Sequence, residues 1–317
     1  MKTTLRRVGR AVVREAALSA LLLLLVTAVM FALLNRAPGD PVALYVNVQS
    51  LSPQEVEAVR HELGLDRSLP VRYGAWLGRI LHGDLGTSLR SGRPVGVELV
   101  RTGWRTVLLA GSAMLLTLFF AAATAYLAAL GRHPRLASTL TAVGYVLSGL
   151  PVFWLGYLAI YLATTRLGVL PVMTSDTPGE HAFVFFLVPV VVLGLGNGTV
   201  AEVTRHLRTH LSGVLREDYI RTARARGASL WRHLYKDGLV MPLSSVLANK
   251  VPYVLGGAIV VEQVFNWPGM GRLTWQAASD RDYPVLLGVT LVSALIVRAA
   301  HVVKQAVQVA VDPQLAA

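Results

Sequence analysis

The chain contains no cysteine, which excludes disulfides, thiolate metal sites and thiol catalysis together. Charge is scarce as well: 15% of the 317 residues are Asp, Glu, Lys or Arg, against roughly 25% in soluble domains. Acids are the scarcer sign, 18 against 30 Lys and Arg. No G-x-x-x-x-G-K-[ST] loop is present to cradle phosphates, so any ATP chemistry has to come from another chain. What the chain has in abundance is apolar side chains, 54% of the total, with a mean hydropathy of +0.53. These values describe a polytopic membrane protein. The net charge of +12 does not point to nucleic acid, because the basic residues fall between apolar runs rather than on one amphipathic face.

About 20 apolar residues cross a bilayer core. Uncharged runs cover residues 16–34, 106–131, 136–165 and 182–201, and a fifth, 238–261, is broken only by Lys250. A sixth starts at Tyr283 and reaches full length if Arg298 and Lys304 snorkel to an interface. The first run follows Lys2, Arg6, Arg7, Arg10 and Arg14 and is too long for a signal-peptide core, so it is expected to remain as a span. Lys and Arg are retained in cytoplasmic loops. Arg132, His133 and Arg135 mark one such loop and the tract 205–236 another, whereas the loop 175–181 holds Asp176 and Glu180 without Lys or Arg, and 262–282 holds only two Arg.

The expected architecture is therefore all-α: a multi-pass membrane protein with six transmembrane helices and both termini cytoplasmic. Its parts are residues 1–35, a cytoplasmic N-terminus and first span; 36–105, a small extracytoplasmic subdomain; and 106–201, spans two to four. A cytoplasmic loop at 202–237, spans five and six at 238–311 and a cytoplasmic tail at 312–317 complete it.

Within 36–105, Ser52, Pro53 and Glu55 supply an N-cap, a first-turn proline and a capping-box acid. Val56, Val59 and Leu63 share a face before Gly64 stops the helix. A second short helix is predicted after Pro70, carrying Tyr73, Trp76, Leu77 and Ile80.

The tract from Arg205 to Lys236 carries eight Lys or Arg and two acids, Glu217 and Asp218. Each charge costs roughly 2.5–3.5 kcal/mol at the centre of a membrane helix, so this segment is aqueous. Tyr219, Ala223 and Gly227 stack at helical spacing, with Arg221 and Arg224 on another face. Gly227 suits a left-handed helix end, and Ser229 can cap a second helix through Leu230, Trp231 and Leu234. An ordinary interfacial loop accounts for the same residues.

The run from Asp218 through Tyr219, Ile220, Arg221, Thr222, Ala223, Arg224, Ala225, Arg226 and Gly227 to Ala228, with Met241-Pro242-Leu243 beyond it, resembles the coupling-loop motif of binding-protein-dependent ABC importer permeases. Arg36-Ala37-Pro38-Gly39-Asp40-Pro41 and Gly64-Leu65-Asp66 are similar to the peptide, opine and nickel permease branch. So are the run from Val264 through Trp267-Pro268-Gly269 to Arg272, the run from Asp280 to Pro284, and Asp312-Pro313. Thr222 stands where the older consensus has glutamate, and the interval from Gly227 to Pro242 is shorter than usual.

The resemblance implies a permease subunit of the bacterial plasma (inner) membrane, without enzyme activity or cofactor of its own. It would pair with a homologous permease, with two cytosolic ATPases that bind ATP and Mg, and with an extracytoplasmic substrate-binding protein. Residues 219 and 221–228 would couple it to the ATPases. The implied cargo is a peptide or peptide-like molecule, with nickel or a metal chelate as the alternative.

Other candidates stand beside bland readings. Lys250, with its neighbour Asn249, either lines the substrate pathway or snorkels to an interface. His206 and His210 have the i, i+4 spacing of a helical metal pair, but Arg205 and Arg208 repel a cation and a solvated helix end is expected. Ser148 with His301 lacks a G-x-S-x-G context for hydrolase chemistry. Phe265 and Trp267 suit a membrane interface around a tight turn. Pro151, Pro189, Pro242, Gly194, Gly196 and Gly198 allow kinks and close packing. The assigned spans contain no Asp or Glu, which argues against an ATP-independent, ion-coupled transporter.

Overall fold

The computed structural model describes residues 2–36, 52–62, 66–130, 133–169, 172, 182–196, 198–228 and 241–311. Among the described residues there is no strand, and the helices in chain order are α1 (Lys2–Arg36), α2 (Pro53–Glu62), α3 (Leu69–Leu81), α4 (Val95–Leu130), α5 (Pro134–Ser148), α6 (Val152–Leu167), α7 (Ala182–Leu195), α8 (Thr199–Val214), α9 (Asp218–Ala225), α10 (Met241–Val264), α11 (Met270–Asp280) and α12 (Tyr283–Val311). Gly64, the loop 175–181, Ser229 with the second helix after it, and the motifs at 37–41 and 312–313 lie outside the described residues.

Among the described residues four helices are long and apolar enough to cross a membrane: Ala17–Arg36, Val95–Ala129, Pro242–Val264 and Tyr283–Gln308. Two bent pairs, α5 with α6 and α7 with α8, raise the number to six if each pair is one span. The run 136–165, expected as one span with Pro151 free to kink it, bends by 106° between α5 and α6. Pro151 is the reason: it offers no N–H to the preceding turn, and it sits as the extended N-cap of α6. The run 182–201 also stops early, at Leu195, and α8 restarts behind Gly198, whose φ of 72° is left-handed. Conversely, α4 begins at Val95, well before the apolar run, and α8 continues past residue 201 to Val214.

The described residues group into two compact units. In the one that contains residues 104–272 and 297–311, Leu109, Val190, Leu193, Ala258, Val261 and Phe265 form a closed apolar core. Small residues let α4 and α7 approach closely: a Cβ on Gly194 would lie 2.8 Å from the Ala113 carbonyl oxygen, and the Thr117 hydroxyl donates to the Gly194 carbonyl at 2.6 Å. Phe265 and Trp267, expected at a membrane interface, are instead 0% and 5% exposed. Burial is possible because the Trp267 indole N–H donates to the Arg105 carbonyl at 3.2 Å and the ring packs on Phe186.

Around them Glu262, fully buried at the end of α10, organises the turn into α11. Its carboxylate accepts from the Thr106 hydroxyl at 2.6 Å and the Arg272 amide at 2.9 Å, while the Thr106 oxygen accepts from the Met270 amide at 2.7 Å. Only glycine fits against it, since a Cβ on Gly269 would stand 2.4 Å from the carboxylate and one on Gly271 2.6 Å from the Ile259 Cα.

The second unit contains residues 11–36, α2, α3, the start of α4 and 273–296. In it Phe31, Tyr73 and Trp76 form an aromatic cluster, with Tyr73 and Trp76 stacked at 5.8 Å and Leu287 beneath. The Tyr73 hydroxyl donates to the Leu24 carbonyl at 3.0 Å. Asp282, 3% exposed, precedes α12 and accepts from the Ser88 hydroxyl at 2.5 Å and from the Arg90 amide, while Arg90 pairs with Asp280. Glu98 is likewise buried between Arg93 and Arg101. On α2 the capping box forms as read: the Ser52 amide and hydroxyl donate to Glu55 at 2.7 and 2.8 Å, and the Glu55 amide donates to the Ser52 hydroxyl. Those donors, the backbone N–H first, hold the Glu55 carboxyl below the usual glutamate range.

Two outcomes are expected. Gly271→Ala forces backbone apart at Ile259 and should destabilise the solubilised protein by about 1–3 kcal/mol or more, read as a lower melting temperature, whereas Gly74→Ala, with nothing within 4 Å, should leave it unchanged. At α2, Glu55 is the depressed-carboxylate case: its support is complete above the ordinary glutamate value and fades as pH falls through the lowered folded value. The protection of the α2 amides, measured by hydrogen exchange relative to the intrinsic rate at each pH, should therefore fall in acid, and Glu55→Gln, which removes the titrating group, should abolish that pH dependence.

Candidate functional site

The basic segment folds locally as the charge pattern requires. Asp218 lies in the first turn of α9 and Arg224 in the last, each favourable to the helix dipole, and Arg221 pairs with Asp218 at 3.1 Å. The end of α9 matches the glycine expectation: Gly227 has φ 66°, the Gly227 amide donates to the Arg224 carbonyl at 3.1 Å and the Ala228 amide to the Ala223 carbonyl at 3.0 Å. Tyr219, Arg221, Thr222, Arg224, Ala225, Arg226, Gly227 and Ala228 are exposed among the described residues. Ala223 differs from the rest of the proposed coupling set, being 9% exposed and turned inward beside Ile220 at 0%. The sequence signal for this was Ile220, the one large aliphatic side chain in the run, one helical turn before Ala223.

The second constellation surrounds Lys250. Its residue is 7% exposed, its ammonium bonds to the Glu202 carboxylate, and the Tyr253 ring lies 4.6 Å from Nζ. The cation therefore turns onto an acid of α8 instead of reaching for a helix end. Glu202 is the residue that sequence reasoning missed. The span was closed at the last uncharged residue, 201, yet the helix runs on because the charge it acquires there has a partner waiting on α10. The expected absence of acids from the spans fails also at Glu262, which lies inside the membrane-length segment Pro242–Val264 and is met there by neutral donors.

Glu202, His206 and His210 follow one another by single helical turns on α8 and line a cavity of about 270 Å³. Pro242, Ser245, Val246, Asn249 and Lys250 of α10 and Gln308 of α12 complete it. The Gln308 amide donates to the Ser245 hydroxyl at 2.8 Å, and His206 Nε2 stands 3.9 Å from the other Glu202 oxygen. Glu202 thus supplies the acid that the histidine pair lacked in the sequence reading, but among the described residues no group of three or more His, Asp or Glu is arranged to hold a metal ion. Asn249 is exposed beside Lys250, so the two pathway candidates do border one cavity. Ser148 donates to the Gly144 carbonyl at 2.6 Å, an intrahelical bond.

A polar cavity between α8, α10 and α12 and an exposed basic segment at α9 are the two features of the site. Residues 106–317 match the family described as the binding-protein-dependent transport system inner membrane component, and residues 8–92 match its N-terminal membrane component. The oligopeptide transport system permease protein AppB of Bacillus subtilis is 31% identical over 313 residues, covering 96% of this chain and 98% of that protein. The glutathione transport system permease protein GsiC of Salmonella typhimurium is 34% identical over 299 residues, covering 92% and 94%. Its counterpart in Pectobacterium atrosepticum is 35% identical over 279 residues, covering 86% and 88%. The chain belongs to the binding-protein-dependent transport system inner membrane component family, as an ABC importer permease of the peptide, opine and nickel branch.

Proposed function

We propose that this permease imports peptides or peptide-like small molecules, forming half of the translocation pathway beside a homologous second permease. The observation that carries this reading is the near full-length similarity to permeases named for oligopeptide and glutathione transport. Glutathione is itself peptide-like, so both names point to one chemical class. None of these names supports nickel or a metal chelate as cargo.

In this reading both termini and the α9 region are cytoplasmic, and residues 36–105 with their capping box and aromatic cluster face the substrate-binding protein. Two cytosolic ATPases, holding ATP and Mg, receive the exposed face of α9. ATP binding draws them together, and α9 passes that motion to the helices as a rigid-body switch between inward-open and outward-open states; hydrolysis resets it. The left-handed Gly227 supports a transmitting role, because it ends α9 in a defined direction.

The test is co-purification followed by reconstitution. Tagged permease should bring down an ATP-hydrolysing subunit, and the complete assembly should import radiolabelled dipeptide only with ATP and binding protein present. Arg224→Glu reverses a charge on the exposed face of α9 and should lower uptake and uptake-linked ATP hydrolysis by about tenfold or more, the scale of a lost charge-paired contact, with protein level unchanged. ATP-independent uptake by the permease alone would overturn the reading.

A further inference from the structure

We propose that the Glu202–Lys250 ion pair is an exchange site for a zwitterionic cargo: the ligand's ammonium takes the place of Lys250 on the Glu202 carboxylate, and the ligand's carboxylate takes the Lys250 ammonium. The proposal rests on the peptide-import reading and names the cargo feature that this cavity recognises.

The pair sits at a cavity wall rather than in packed core, with the Glu202 side chain 39% exposed and that of Lys250 9%. Neither group is saturated among the described residues. The Lys250 ammonium, a triple donor, has one carboxylate and the face of Tyr253, and the His206 Nε2 beside the second Glu202 oxygen stands 3.9 Å from it, beyond hydrogen-bond length. Each member can therefore begin to bind an arriving group before it releases the other.

Charge conservation then sets the selectivity. A ligand carrying only an anion would capture Lys250 and strand Glu202, and one carrying only a cation would strand Lys250, whose side chain is 9% exposed; a charge left without its counter-charge in such a site is unfavourable. A molecule with both charges leaves every charge paired before and after the exchange. That condition selects free α-amino acids and short peptides with both termini intact. The amides of Asn249 and Gln308 and the Ser245 hydroxyl border the same space and offer donors and acceptors suited to a peptide bond. A volume of about 270 Å³ lies just under the roughly 300–1,000 Å³ of drug-sized ligand sites, which favours a dipeptide-sized occupant.

The experiment uses the full assembly of both permeases and the ATPases in lipid nanodiscs, without binding protein, and measures equilibrium binding of radiolabelled dialanine, N-acetyl-dialanine and dialanine amide. Unmodified assembly should bind dialanine at least about tenfold more tightly than either capped form, since each cap leaves one protein charge unmatched. Glu202→Gln should erase the preference over N-acetyl-dialanine, and Lys250→Gln the preference over the amide, each leaving the other preference in place. Equal binding of the three probes, or variants that discriminate as the unmodified protein does, overturns the exchange site. Should a variant fail to assemble, the three-probe comparison on unmodified protein still decides. ATP hydrolysis by the same sample separates the two levels of inference: an active ATPase assembly without discrimination ends only the exchange site, whereas absence of any ATPase ends the importer reading, and the permease alone then carries the three-probe measurement.

Discussion

Hydrocarbon offers neither hydrogen bonds nor counterions, so each ionisable side chain on an apolar helix of this chain must find its complement within the protein. The described structure meets that demand in two ways. Glu262 is met by neutral donors, one hydroxyl and the amides of the turn that follows it. Lys250 is met by an opposite charge, Glu202, brought from a helix nearly fifty residues earlier in the chain. The first solution is closed, because the glycines at 269 and 271 let backbone wrap the carboxylate. The second is open to a cavity. A closed site is therefore a fastening, and one that opens to a cavity can change partners when another charged group arrives.

Helix breaks determine where those charges come to rest. Pro151 turns α6 away from α5, and Gly198 lets α8 leave the line of α7. Without the second break the α8 face that carries Glu202, His206 and His210 would continue along the axis of α7, an almost entirely apolar helix. The restart presents that face to α10 instead, and the adjoining face, one residue on, buries Val203, Leu207 and Leu211 against Ala121, Ala125 and Val246. One amphipathic helix thereby serves packing on one face and a polar cavity on the next.

Much of this organisation is written locally. The capping box at Ser52, the short helix around Pro70 and the left-handed end at Gly227 depend on neighbours within a few residues, and each is present in the structure as read. The readings that changed depend on residues remote in sequence. Phe265 and Trp267 are aromatic enough for an interface, but an acceptor on Arg105 and a ring from Phe186 draw them inward. Ala223 fits a docking face by size, yet Ile220 pulls its side of α9 into the protein.

By itself the sequence determined the class of the molecule, the approximate places of its apolar helices and the isolation of its basic segment, because partition into lipid and helix capping are sums over adjacent residues. Tertiary structure alone decided which charges are neutralised, and hence where the apolar runs stop mattering as boundaries. Glu202 looked like the first residue of an aqueous loop because hydropathy counts its charge without its partner. Pairing energy between α8 and α10 depends on a distance that no stretch of sequence contains, and it is this pairing that extends the helix and furnishes the cavity wall.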